Sequence, residues 1–322
     1  MTMRRRHFAG AVAAASLAGT AAWAQRDFPN RPITLICPWP PGGGADLQLR
    51  MLAKLTGTLL GQPMVVENRP GVTGSLGAIT LMQAKPDGYT LCQSHNAVLR
   101  QPFIAATPYD PLKDFTYLIG VSDNPFGLVV RADSPWKTMA QFLDHARGNP
   151  GKVNIAMPGK GSPGHLVSEQ IATAQGLQWT TVPYRGTANS MQALLGGQVD
   201  AAAESTGWVP FVEGGKVRLL AVFGKARMKK YPDVPTLIEI NINASDYSPW
   251  GIVGPAGMDP AIAKTLHDGM RKAMLMPEFT NLLSTLGQEP IYMSPADYVR
   301  YVSEAVPQQK AIVEKYNLKA AS

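Results

Sequence analysis

The chain has 322 residues, of which 45% are hydrophobic and 16% charged, with a formal net charge of +7 at pH 7 and only 2 cysteines. Two cysteines exclude a disulfide-dense framework, and a chain of this length forms one large or two ordinary domains with cores of their own. No lysine or arginine run beyond the N-terminal segment makes a polybasic stripe, so nucleic acid is not an expected partner.

The N-terminal segment carries Arg4, Arg5 and Arg6 without an acid, then a run of small and apolar residues over 8–22, then Ala22-Trp23-Ala24 in the A-x-A form cut by signal peptidase. Residues 1–24 therefore read as a signal peptide, and the mature chain is expected to begin near Gln25, outside the cytoplasm. The apolar run is too short for a spanning helix, which needs roughly 20 apolar residues. Arg5-Arg6-His7-Phe8 loosely fits a twin-arginine signal, which leaves Sec and Tat export both open. Removing this segment lowers the formal charge to +4, an excess suited to an anionic small ligand. No later stretch is apolar and long enough to cross a bilayer.

Short apolar strands then alternate with helical periodicity. Residues 33–37 read as a buried strand, followed by the turn 38–44 and a helix from Ala45, with Leu52, Leu55 and Leu59 on one face and Gly61 as its stop. A strand over 64–66, a helix over 74–83 and a strand over 89–92 complete a β-α-β series, which predicts a parallel sheet. Cys37 and Cys92 end two of these strands, so either a disulfide or a pair of buried thiols fits. From residue 125 a second series begins, with strands over 128–130, 153–156, 180–183 and 217–222 and helices over 138–146, 165–174 and 189–195. After residue 247 come a strand over 251–253 and helices over 261–276 and 295–315. Two α/β domains follow from this order, residues 25–125 plus 247–322 and residues 126–246, joined by two crossovers.

Two glycine loops sit between a strand and a helix. Pro40-Pro41-Gly42-Gly43-Gly44-Ala45-Asp46 offers unpaired backbone N–H groups and a positive helix end to an anion, with Asp46 as helix cap or loop anchor. An ordinary glycine turn is the alternative. Gly159-Lys160-Gly161-Ser162-Pro163-Gly164 matches G-x-G-x-x-G letter for letter, but residues 178–185 supply no acid for a ribose, and neither loop ends as a P-loop does. The expected ligand of the two helix starts is therefore a carboxylate or phosphate, with no nucleotide and no other cofactor. No histidine or cysteine spacing suggests a metal.

Five further motifs occur in order: Glu67-Asn68-Arg69-Pro70-Gly71, Lys85-Pro86-Asp87-Gly88-Tyr89-Thr90, Val182-Pro183-Tyr184-Arg185-Gly186, Gly196-Gly197-Gln198-Val199-Asp200 and Pro235-Thr236-Leu237-Ile238-Glu239. With the first glycine loop they resemble the Bug family of extracytoplasmic solute receptors, the binding proteins of tripartite tricarboxylate transporters, over essentially the whole mature chain. The resemblance implies an α/β periplasmic-binding-protein fold of type II, two domains closing on a ligand at their cleft, two membrane subunits as partners, a monomeric receptor and no catalysis. It also implies that a small organic carboxylate is held by the loop after the first strand, here Pro40, Gly42, Gly43, Gly44 and Asp46, and by the facing loop Gly161, Ser162 and His165. Tyr184, Arg185 and Thr187 would form another wall, and His95 and Asn96 a third.

Trp39 adds a flat ring that can stack on an aromatic acid or pack as core. Glu204 would repel a second carboxylate if it faces the pocket. The ligand stays open among dicarboxylates, tricarboxylates, amino acids and aromatic acids. Ser162 and His165 with Asp200 or Glu204 supply the residue types of a hydrolase, but no G-x-S-x-G elbow surrounds Ser162. A receptor that reports to a sensor rather than a transporter would share the same sequence features.

Overall fold

The computed structural model describes residues 28–319; the expected signal peptide, residues 1–24, lies outside them. The first lobe starts with β1 (Ile33–Cys37), paired in parallel with β2 (Met64–Asn68) on one side and β3 (Thr90–Ser94) on the other. Helix α1 (Gly44–Leu60) crosses from β1 to β2 with Leu49, Leu52 and Leu55 buried, and it stops at Gly61, whose φ of 72° is the left-handed conformation that closes a helix. Helices α2 (Ser75–Leu81) and α3 (Asn96–Ile104) follow β2 and β3, and β4 (Phe115–Ser122) leads out of the lobe.

The second lobe contains β5 (Phe126–Arg131), α4 (Met139–Gly148), β6 (Asn154–Met157), α5 (Pro163–Gln175), β7 (Thr180–Pro183), α6 (Thr187–Leu195), β8 (Ala201–Ser205), α7 (Val209–Glu213) and β9 (Val217–Val222). The chain then returns to the first lobe as β10 (Trp250–Pro255), α8 (Pro260–Met274), α9 (Pro277–Thr285), β11 (Pro290–Met293) and α10 (Pro295–Lys315).

The two sheets have the orders β11-β4-β10-β3-β1-β2 and β7-β6-β8-β5-β9. Both are mixed, not parallel as the β-α-β pattern predicts. Besides the edge strand β11, which is antiparallel to β4, the exceptions have one cause: β5 and β10 are the strands by which the chain enters each lobe. Each starts at the junction and runs away from it, antiparallel to both neighbours, whereas β1, β3, β4, β8 and β9 run toward the junction. The carboxyl ends of the latter strands therefore meet between the lobes, where ligands of open α/β sheets bind.

The register decides the fate of the cysteines. Cys92 pairs with Ile36, so Cys37 lies one residue further on and on the opposite face of the sheet. Cys37 packs with Ile33 and Leu35, Cys92 with Ile36 and Val98, and both remain free thiols. Burial pushes the Cys37 thiol up to about 12 and raises Cys92 as well, so neither is a nucleophile near neutral pH.

One buried arginine ties the lobes together. Arg100 on α3 donates from Nη1 to the Gly161 carbonyl at 2.5 Å and from Nε to Gln309 Oε1 at 2.7 Å, and its Nη2 lies 3.4 Å from Asp246 Oδ1 in the returning crossover. Asn96 pins the same crossover, donating to the Tyr247 carbonyl at 2.6 Å and accepting from the Tyr301 hydroxyl at 2.6 Å. Thr73 Oγ1 adds a bond to the Lys160 carbonyl at 2.9 Å across the lobes. Arg100→Ala would leave Asp246 buried without its counter-ion, and two acceptors unmet. Urea unfolding should register a loss of about 3–5 kcal/mol, and a loss of under about 1 kcal/mol would contradict this role.

Candidate functional site

The loop after β1 is shaped by one carboxylate. Gly42 adopts a φ of 82°, which glycine tolerates, and its N–H donates to Asp46 Oδ2 at 2.9 Å. Arg50 Nε donates to the same oxygen at 2.9 Å, and Asn68 Nδ2 donates to Asp46 Oδ1 at 2.8 Å and to the Trp39 carbonyl at 3.0 Å. Burial raises the Asp46 pKa, but the hydrogen bonds from Arg50, Gly42 and Asn68 and the Arg50 charge outweigh it, so the group sits below its ordinary value and stays ionised. Asp46 thus anchors the loop instead of capping the helix. The cap position of α1 is Gly43, which has no side chain to accept from the first turn, so the positive helix end faces outward uncapped.

A second helix start faces it. The loop after β7 delivers Gly186 at φ 87° to the cap position of α6, again with no side-chain cap. A Cβ placed on Gly186 would lie 3.5 Å from Pro40 Cδ, so the two loops approach to van der Waals distance across the lobes. Between and beyond them lies a cleft of about 430 Å3, within the usual range for small-ligand sites.

Its first-lobe wall is Trp39 to Ala45 with Leu47, Trp250 and Leu286; its second-lobe wall comes from Phe126, Pro158, Arg185 to Asn189, Met191, Ser205 to Gly207, Pro210 and Phe211. Arg185 is the one charged side chain in this lining and is exposed at the rim. The Thr187 and Ser205 hydroxyls lie 3.1 Å apart at the start of α6. Trp39 stacks on the buried His95 ring, 5.1 Å between centroids, and the indole nitrogens of Trp39 and Trp250 and Asn124 Oδ1 have no partner among the described residues. Burial, and secondarily the Arg100 charge, press His95 down to about 3, so its ring is neutral.

Of the residues anticipated from sequence, the cleft brings together Trp39, Pro40, Gly42, Gly43, Gly44, Arg185 and Thr187. The loop Gly161, Ser162 and His165 does not line it. Its Gly161 carbonyl is taken by Arg100, Ser162 caps α5 by accepting from the His165 N–H at 3.2 Å, and His165 Nδ1 accepts from the Gly161 N–H at 3.0 Å. The facing helix start is that of α6, one strand away. His95 and Asn96 begin α3 behind the wall, Tyr184 packs beside the second core, and Asp200 accepts from the Asn154 N–H at the far end of β8. Phe126, Trp250 and Phe211 were missed. The first two open the entering strands and so had a topological signal; Phe211 sits on a five-residue helix and had none.

Glu204 lies on β8 behind Thr187 and is fully buried. Desolvation pushes its carboxyl up to about 8, opposed by Ser190, Thr187 and the Ser205 N–H, none of which meets the oxygens in full hydrogen-bond geometry.

A family model described as tripartite tricarboxylate transporter family receptor, TctC, matches residues 49–318. A Cupriavidus necator protein described as "UPF0065 protein in gbd 5'region" is 44% identical over 326 residues, covering 99% of this chain and 100% of that one. Among solved structures, the periplasmic binding protein BugD aligns with a TM-score of 0.85 at 29% identity, covering 91% of this chain and 99% of its own. The R. palustris protein Rpa4515, solved with adipate, aligns with a TM-score of 0.86 at 28% identity over 90% of this chain and 99% of its own.

The raised Glu204 pKa sets a sign for stability. The folded chain keeps a proton that the unfolded chain releases between the ordinary value of 4.5 and about 8, so stability falls as pH rises through that window. Glu204→Gln removes this dependence: its stability advantage over the parent, measured by urea unfolding, should grow from pH 5 to pH 8, reaching on the order of a few kcal/mol, and then level off. A constant difference across that window would show that Glu204 is hydrated in the folded state.

Proposed function

This chain belongs to the receptor family of tripartite tricarboxylate transporters, and on that premise we propose that it captures a small organic carboxylate in its interlobe cleft and delivers it to the transporter's two membrane subunits. The receptor works in the periplasm as a monomer, after export through the Sec or Tat route, and performs no turnover of its ligand. The observation that carries this reading is the pair of uncapped, glycine-led helix starts, α1 and α6, facing one cleft from separate lobes. Backbone N–H groups there point outward without side-chain competitors, and the helix dipoles favour negative charge. Closing the lobes brings both sets of donors onto one anion, while an open form would leave each set to water. Adipate in the R. palustris neighbour is a carboxylate of the expected size.

Thermal shift against a panel of organic acids tests this, because a ligand that binds only the folded form raises stability by about 2.7 kcal/mol at a hundredfold excess over Kd. Gly43→Val supplies the control. A Cβ at residue 43 meets nothing nearer than the Pro40 carbonyl at 3.9 Å, so the fold accepts the side chain while the cradle is filled. The expected result is a melting temperature lowered by no more than a few degrees without ligand, valine being a poorer helix cap than glycine, and a loss of the ligand-induced shift. An unaltered shift in the variant, or no shift with any acid, would overturn the reading.

A further inference from the structure

The uncapped helix starts explain an acid group but not the rest of the cleft. Four of its walls are aromatic: Trp39 and Trp250 from the first lobe, Phe126 and Phe211 from the second. The only charged side chain in the lining is Arg185, at the exposed rim, so no cation is placed among these rings to receive a second carboxylate. Ring faces carry negative charge density, and a carboxylate set against them loses its hydration without compensation.

Resting on the carboxylate reading above, we propose that the ligand carries its acid on an aromatic ring, with the carboxylate at the α1 and α6 starts and the ring packed among Trp39, Phe126, Phe211 and Trp250. A flat ring fills the space between these walls with offset or edge-to-face contacts, which gain over burial of the same area by a flexible chain, and it brings no second charge among them. An aliphatic diacid of similar length gives up those contacts and must leave one carboxylate against the rings.

Titration of the purified mature chain with benzoate, phenylacetate, adipate and malate, followed by calorimetry and by tryptophan fluorescence, separates the possibilities. The tighter of the two arene acids should bind at least about tenfold more strongly than either aliphatic diacid. Phe211→Ala removes a half-buried wall ring; with its melting temperature checked against the parent, it should weaken arene binding by about tenfold and change aliphatic binding by less than about twofold. Adipate or malate binding as tightly as the arene acids, or equal losses for both classes in Phe211→Ala, would overturn the aromatic assignment and leave the carboxylate reading in place. Binding by none of the four acids would overturn both.

Discussion

The cleft depends on a backbone loop that one internally satisfied carboxylate holds in place. Asp46 takes the Gly42 N–H, Arg50 and Asn68, and by saturating itself internally it holds the loop after β1 without occupying the helix start. Were that side chain at the cap position instead, it would neutralise the site from within. Glycine at residue 43 and again at residue 186 leaves both helix starts without a side-chain acceptor, so the donors remain for something outside the protein.

The topology supplies the opposition of the two starts. Because β5 and β10 enter their sheets from the junction, every strand that runs the other way ends there, and the loops after β1, β7 and β8 converge from two independent cores. Arg100 and Asn96 hold the crossover and the α5 loop on the opposite side of the junction from the glycine pair. That division leaves one glycine loop of the second lobe for joining and another for lining the cleft.

Much of this was legible in the sequence. Glycine at residue 61 and the leucine spacing located α1, and strands 180–183 and 217–222 and helix 295–315 keep their expected limits. Other elements hid for physical reasons. β8 reads Ala-Ala-Ala-Glu-Ser, a helix-favouring string that becomes a strand only because it is sandwiched between β6 and β5. α3 contains Pro102, and α9, which Pro277 starts just beyond the helix expected over 261–276 and found as α8, is an additional short helix. At the site, glycine content identified the first loop correctly as part of the cleft wall, but it could not rank two second-lobe loops of similar composition. Which of them lines the cleft is fixed by long-range contacts, the Arg100 bond to Gly161 and the approach of Pro40 to Gly186.

The central claim concerns where an acid group sits, and a crystal structure of the chain with a bound carboxylate tests it most directly. The account predicts carboxylate oxygens within hydrogen-bond distance of backbone N–H groups in the first turns of both α1 and α6, directly or through one ordered water. A carboxylate held instead at the Gly161-Ser162 loop, or touching only one lobe, would contradict it.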